Sequence, residues 1–351
     1  MMSKWNTLMA SAVIFFAAGW AAADTVVYQK SGDSGKTTEA SASGTIEQVS
    51  RTEVTIKDRG GIQTPIPANE VISIQVEGEP VALPVIRTAI ETSQYEDAMK
   101  QLAAITAEER SAAPALVQQE IDYLRVWTAA QLALSGNKNY PVKKAGGDLY
   151  RFIQENPESF HFYEANRLVG RLLAADGNTE NAKKTYQSLS EAPWPEMKFE
   201  GKVALGNLLL AEKNIDEAKK VFEEVAAADP STPAIADQRF FARIGLGRAA
   251  ALGGDYDGAK TIFDAVIAES NAENALLQAT LYNAFGESAV EAGKDREALL
   301  AFLHVDLLFS SARMEHIKAL KNLVILWKKA MKEDRSAEAA ALLRDQYGVT
   351  P

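Results

Sequence analysis

Cysteine is absent from the 351 residues, histidine occurs three times, and 37 lysines and arginines face 47 aspartates and glutamates. Without thiols there is no disulfide framework, no thiolate metal site and no cysteine to carry a lipid anchor. The histidines, His161, His304 and His316, form no His-Glu-x-x-His pair, so a zinc-binding helix is excluded. A looser group, His304, Asp306, Glu315 and His316, would need a turn to gather it, and surface or groove-edge positions are the expectation for all four. The deficit of positive charge disfavours nucleic acid as a partner, since that binding needs a basic footprint that releases counterions. Gly-x-Ser-x-Gly elbows and phosphate-cradling glycine–lysine loops are also missing. No catalytic, cofactor-binding or metal-binding residue is therefore assigned.

Long apolar runs are scarce, with one exception. Lys4 is the only charge in the first 23 residues, an apolar stretch runs from Leu8 to Trp20, and the small residues Ala21 and Ala23 precede Asp24. This pattern predicts a secretory signal over residues 1–23. Its apolar core, Leu8 to Gly19, is 12 residues, short of the roughly 20 that span a bilayer. The looser stretch Thr7 to Ala23 reaches 17, which leaves retention as an N-terminal anchor as the alternative. Cleavage predicts a periplasmic or secreted protein with no integral membrane span, and it leaves 36 basic against 47 acidic residues.

Residues 24–80 and 81–351 differ in grain. The first part carries short alternating runs at Thr25–Tyr28, Thr45–Val49, Glu53–Lys57 and Val71–Val76, with turn clusters at Ser31–Gly35 and Asp58–Gly61. These predict four or five strands. The run Gly44 to Val76 resembles the SH3-like and Sm-like small barrels, in which a Gly-x-Ile strand precedes two hairpins and an acidic–apolar strand such as Glu70-Val71-Ile72-Ser73-Ile74. The resemblance implies a small closed or partly closed barrel, and it brings no site motif. Pro80 and Pro84 end the strand region.

From residue 85 the spacing turns helical and repeats. Ala182, Ala218, Ala259 and Ala298 each follow a similar turn phrase and are 36, 41 and 39 residues apart. Each has a glycine 12 residues earlier, Gly170, Gly206, Gly247 and Gly286, and an aromatic four residues later, Tyr186, Phe222, Phe263 and Phe302. Glycine and alanine on facing helices allow close approach, and the aromatic is expected to fill the space against the next repeat. Weaker copies at Ala98, Ala145 and Ala339 bring the count to about six or seven helical hairpins. Gly245-Leu246-Gly247-Arg248-Ala249-Ala250 matches a dinucleotide fingerprint, but it falls inside a helical run with no strand before it, so it predicts packing rather than a cofactor.

This order of glycine, alanine, aromatic and proline resembles the tetratricopeptide repeat family, with a longer period than its roughly 34 residues and several consensus aromatics missing. The resemblance covers about residues 85–351 and implies a mainly α protein: a right-handed solenoid of helical hairpins behind a small β-barrel. It implies a non-enzymatic scaffold that binds a protein or peptide in a concave groove, and the signal pattern of residues 1–23 adds that it is exported. The lining positions it implies are Leu168, Arg171, Val203, Asn207, Ile244, Arg248, Asn283 and Glu287. Val203, four residues before Asn207, replaces the lysine of the chaperone-docking members, so a carboxylate clamp is not implied. The alternative is a cell-wall polymer or small-ligand module using the barrel or the domain junction. Residues 313–332 hold six basic side chains and one acid, expected to be the first helix of the terminal repeat with lysines solvated or complementing acidic neighbours, the alternative being a basic face for an acidic partner or an anionic membrane surface.

Overall fold

A computed structural model describes residues 23–31 and 37–350. Most of the expected signal and the core of the Ser31–Gly35 turn lie outside the described residues. Strands β1 (Asp24–Ser31), β2 (Thr37–Val49), β3 (Glu53–Lys57), β4 (Gln63–Pro67) and β5 (Val71–Gln75) form one antiparallel sheet in the order β4-β3-β2-β1-β5. The long β2 pairs with β1 up to Gly44 and with β3 from Thr45. Gly44 is the pivot, because a Cβ there would lie under 3.0 Å from the Lys57 carbonyl.

The sheet is open, which corrects the expected barrel closure. Its edges, β4 and β5, are joined through a single 3-10 turn, Ala68–Glu70, and do not pair. Pro65 and Pro67 stand opposite Thr55 and Glu53 of β3 and have no amide hydrogen to offer a further strand, so β4 ends the ladder. The apolar face is closed by the helices instead. Val26, Val54, Ile56, Ile66 and Ile74 share a core with Phe160, Leu116 and Trp194.

Fifteen helices follow among the described residues. Seven hairpins pair α1 (Leu83–Glu91) with α2 (Tyr95–Ala104), α4 (Ala115–Ser135) with α5 (Val142–Glu155), α6 (Phe162–Ala175) with α7 (Thr179–Leu189), and α8 (Pro195–Ala211) with α9 (Ile215–Ala226). The series continues with α10 (Pro233–Leu252) and α11 (Tyr256–Glu269), α12 (Ala275–Glu291) and α13 (Asp295–Leu308), and α14 (Arg313–Lys329) and α15 (Glu333–Tyr347). A short α3 (Ala107–Ala112) sits between the first two hairpins. Every hairpin turns the same way: a residue with positive φ (Ser93, Gly136, Gly177, Lys213, Gly254, Gly293 or Met331) is followed by an amide that bonds a carbonyl five residues back, as in Asn178 to Leu173. This is the Schellman closure of a helix C-terminus.

Each second helix up to α13 packs against its own first helix and against the first helix of the next hairpin, and first helices also touch directly in the pairs α4–α6, α8–α10, α10–α12 and α12–α14. The array is thus a helical solenoid of the tetratricopeptide kind. It also closes on itself. Arg313, at the start of α14, donates to the Ser93 carbonyl at 2.9 Å and to the Glu96 carboxylate at 2.6 Å, and its guanidinium lies between the rings of Tyr95 and Tyr347. Helix α14 also touches α4. No helix among the described residues is long and apolar enough to cross a membrane.

Candidate functional site

Packing inside the repeats determines what remains on the surface. A Cβ at Gly170, Gly206, Gly247 or Gly286 would lie under 3.0 Å from the ring of Tyr186, Phe222, Phe263 or Phe302, respectively. Each aromatic therefore seats on the glycine of its own hairpin. Phe222 also abuts Gly245 of the next one, so the filling of space against the neighbouring repeat is only part of its role. Ala182, Ala218, Ala259 and Ala298 are fully buried beside these contacts. Gly245 and Gly247 lie within α10 against phenyl rings, and no strand-turn-helix phosphate cradle surrounds them.

The eight positions implied for the groove divide into two classes. Leu168, Val203, Ile244 and Asn283 are buried, because they point into the interfaces between helices, so these four cannot line an accessible groove. Arg171, Asn207, Arg248 and Glu287 are half-buried. Three of them are already engaged: Arg248 donates to Asn207 at 2.7 Å, and Glu287 pairs with Lys318 at 2.8 Å. Similar links run from hairpin to hairpin, Trp127 to Glu164 at 2.9 Å, Arg167 to Glu200 at 2.9 Å and Asn283 to Glu315 at 2.7 Å. The inner layer is thus a girdle of polar bonds, which Arg313 completes. Arg171 is different. It makes no hydrogen bond or ion pair among the described residues, and burial, then the neighbouring Arg167, hold its guanidinium below its ordinary value.

A second place was not legible as a site in the sequence. Where the sheet meets one rim of the ring, a cavity of about 640 Å3 is lined by the 67–72 turn and by the first turns of α6, α8 and α10. Its aromatic walls include Phe160, Tyr163, Trp194 and Phe241, with Tyr163 and Trp194 edge to face at 5.2 Å. Its ionisable lining is Glu70, Glu164, Glu196, Glu200 and Asp237 against Arg167, with His161 at the side. Arg167 bonds both Glu164 and Glu200, and Glu200 foremost keeps its guanidinium charged well above the ordinary range. Burial opposes the charge of Glu164, yet Arg167 and His161 hold its carboxyl below the usual range. Burial, then the facing Glu196, pushes Glu70 up, and burial pushes Asp237 up. The available signal was positional: the starts of successive first helices converge on one rim of a solenoid.

The histidines gather no metal site. His161 bonds Glu120 at 2.7 Å and stacks on Tyr123, His304 faces the Leu300 carbonyl, and His316 is buried between Asp306 and Tyr347. Glu315 is taken by Asn283. No group of three or more potential ligands occurs among the described residues. The basic helix α14 meets acids at Arg313–Glu96, Lys318–Glu287 and Lys329–Asp295.

Residues 200–232, which hold most of α8 and all of α9, match the tetratricopeptide repeat family. No curated protein matches the chain significantly. Among solved structures, the chain is similar to a tetratricopeptide repeat protein from Parabacteroides merdae, with 15% identity over 78% of this chain and 93% of that one and a TM-score of 0.45. It is also similar to PilW, a type IV pilus biogenesis factor, with 16% identity over 64% of this chain and 94% of that one and a TM-score of 0.36.

Proposed function

We propose that this protein is an exported, non-enzymatic scaffold that binds a protein or peptide partner. The carrying observation is the ring of tetratricopeptide-like hairpins, whose inner side chains are held by hairpin-to-hairpin bonds. Such a surface is preorganised, so a partner docks without a large ordering cost. Arg171 is the inner-layer residue we assign to contact, since a half-buried guanidinium with no hydrogen-bond partner among the described residues suits a carboxylate or backbone carbonyl. Asn207, Arg248 and Glu287 support that surface through their present bonds.

Export follows from the signal pattern of residues 1–23, which favours the periplasm or the exterior. Intact-mass measurement of the protein made in a Gram-negative host tests it: a chain beginning at Asp24 agrees with cleavage, and one retaining Lys4 points to an anchor. Affinity capture from envelope extract with residues 24–351 tests the surface. A protein retained by the native form and lost with Arg171→Glu supports the scaffold, whereas equal retention by both removes the inner layer from the account. The junction cavity favours a second reading, in which the meeting of sheet and ring holds a ligand of its own.

A further inference from the structure

The junction cavity joins two chemistries in one space. Trp194 and Tyr163 offer aromatic surface, and Glu70, Glu196 and Asp237 offer carboxylates that form no ion pair among the described residues. Glu196 accepts only from the Asn69 amide at 2.5 Å, Asp237 only from the Asn274 amide at 2.9 Å, and Glu70 accepts no hydrogen bond among the described residues. Among the described residues of the lining, the guanidinium of Arg167 is committed to Glu164 and Glu200, and the His161 imidazole to Glu120.

Local structure explains part of this charge. Glu196 lies in the first turn of α8, where the helix dipole favours an acid. It does not explain Glu70, which comes from the 3-10 turn beside the sheet and shares the cavity lining with Glu196 only through the docking of the two regions. Nor does it explain Asp237, which lies beyond the first turn of α10. Like charges facing one partly enclosed space repel, and an opposite charge placed among them removes that cost.

We propose that this cavity binds an organic cation with an apolar stem, of the kind presented by a lysine or arginine side chain. The stem lies along the Trp194 and Tyr163 rings, and the ammonium or guanidinium meets Glu70, Glu196 and Asp237. The volume, about 640 Å3, lies within the usual range for ligand pockets and admits such a side chain with the backbone that carries it. The proposal rests on the second reading above, that the junction is a binding place, and its test separates the two.

The test is calorimetric titration of residues 24–351 with capped Gly-Lys-Gly, its arginine, norleucine and glutamate counterparts, and n-butylammonium, with the Trp194 indole signal followed by NMR. The lysine and arginine peptides should bind at least tenfold more tightly than the norleucine and glutamate peptides and should shift the Trp194 signal. The double variant Glu70→Gln, Asp237→Asn should lose at least tenfold in that affinity, while Glu180→Gln on the exposed face of α7 leaves it unchanged. Tight n-butylammonium binding would assign a small free cation as the source, and binding of the peptides alone would assign a polypeptide; both keep the cation. Equal binding of the norleucine peptide, or no effect of the double variant, overturns the proposal. A glutamate peptide that binds in the cavity keeps the junction as a binding place and removes the cation, and silence from every probe removes both.

Discussion

Glu70 carries its charge where burial and the facing Glu196 both oppose it, so its carboxyl titrates above the usual value of 4.5. A carboxyl raised in the folded state contributes stability that is fully present below the unfolded-state value and is lost as pH rises through the folded-state value. Glu70→Gln should therefore match the native protein in stability below about pH 4 and exceed it at neutral pH, by no more than about 1 kcal/mol for a partly exposed group. Urea denaturation at pH 4 and pH 7 checks this, and a variant less stable at pH 7 would mean that the carboxylate has a partner. Stability gained where binding is lost is the signature of a residue kept for a ligand. Nothing in the sequence marks Glu70 as special. It stood inside a strand-like run, and only the fold brings it to Glu196.

Helix pairs obey a rule that the sequence does show. The recurrence of glycine, alanine and aromatic is the packing of each hairpin written along the chain, and it made the solenoid legible. Gly247→Ala would press a methyl into the Phe263 ring at under 3.0 Å. Overpacking of this kind costs about 1–3 kcal/mol and outweighs the gain of roughly 1 kcal/mol from replacing glycine in a helix. Gly147 in α5 has open space where its Cβ would stand, so Gly147→Ala should stabilise by about 0.5–1 kcal/mol. Denaturant midpoints of the two variants should move in opposite directions, and a common direction would count against the packing account. Other elements were hidden. Strand β4 carries Pro65 and Pro67 and does not read as a strand, and the first half of β2, Thr37 to Gly44, is a run of small and polar residues with no apolar alternation. The first and last repeats read weakly because Ile86 and Trp327 stand 12 residues before Ala98 and Ala339, where the strong copies have glycine.

Across the whole molecule, Arg313 joins groups 217 and 220 residues away in sequence. No local pattern can announce such a contact, which is why the sequence reads as a solenoid without showing that its ends meet. The residue is 7% exposed and its partner Glu96 about a third exposed, so Arg313→Ala should cost about 2–4 kcal/mol, near the lower end for breaking a buried pair. Hydrogen exchange gives the sharper readout. In the native ring, α15 should exchange only with global unfolding, whereas in Arg313→Ala its amides should open first, as at the free end of a solenoid. Fraying of α15 in the native protein would show that the clasp contributes little. The clasp also restricts how this chain can change over generations. A solenoid that ends in solvent can gain or drop a repeat and remain sound, but here a duplication or deletion of one hairpin leaves the circumference too long or too short for Arg313 to reach Ser93. Its hairpin number is therefore a whole-number condition on the fold, and variation in length is directed to the loops.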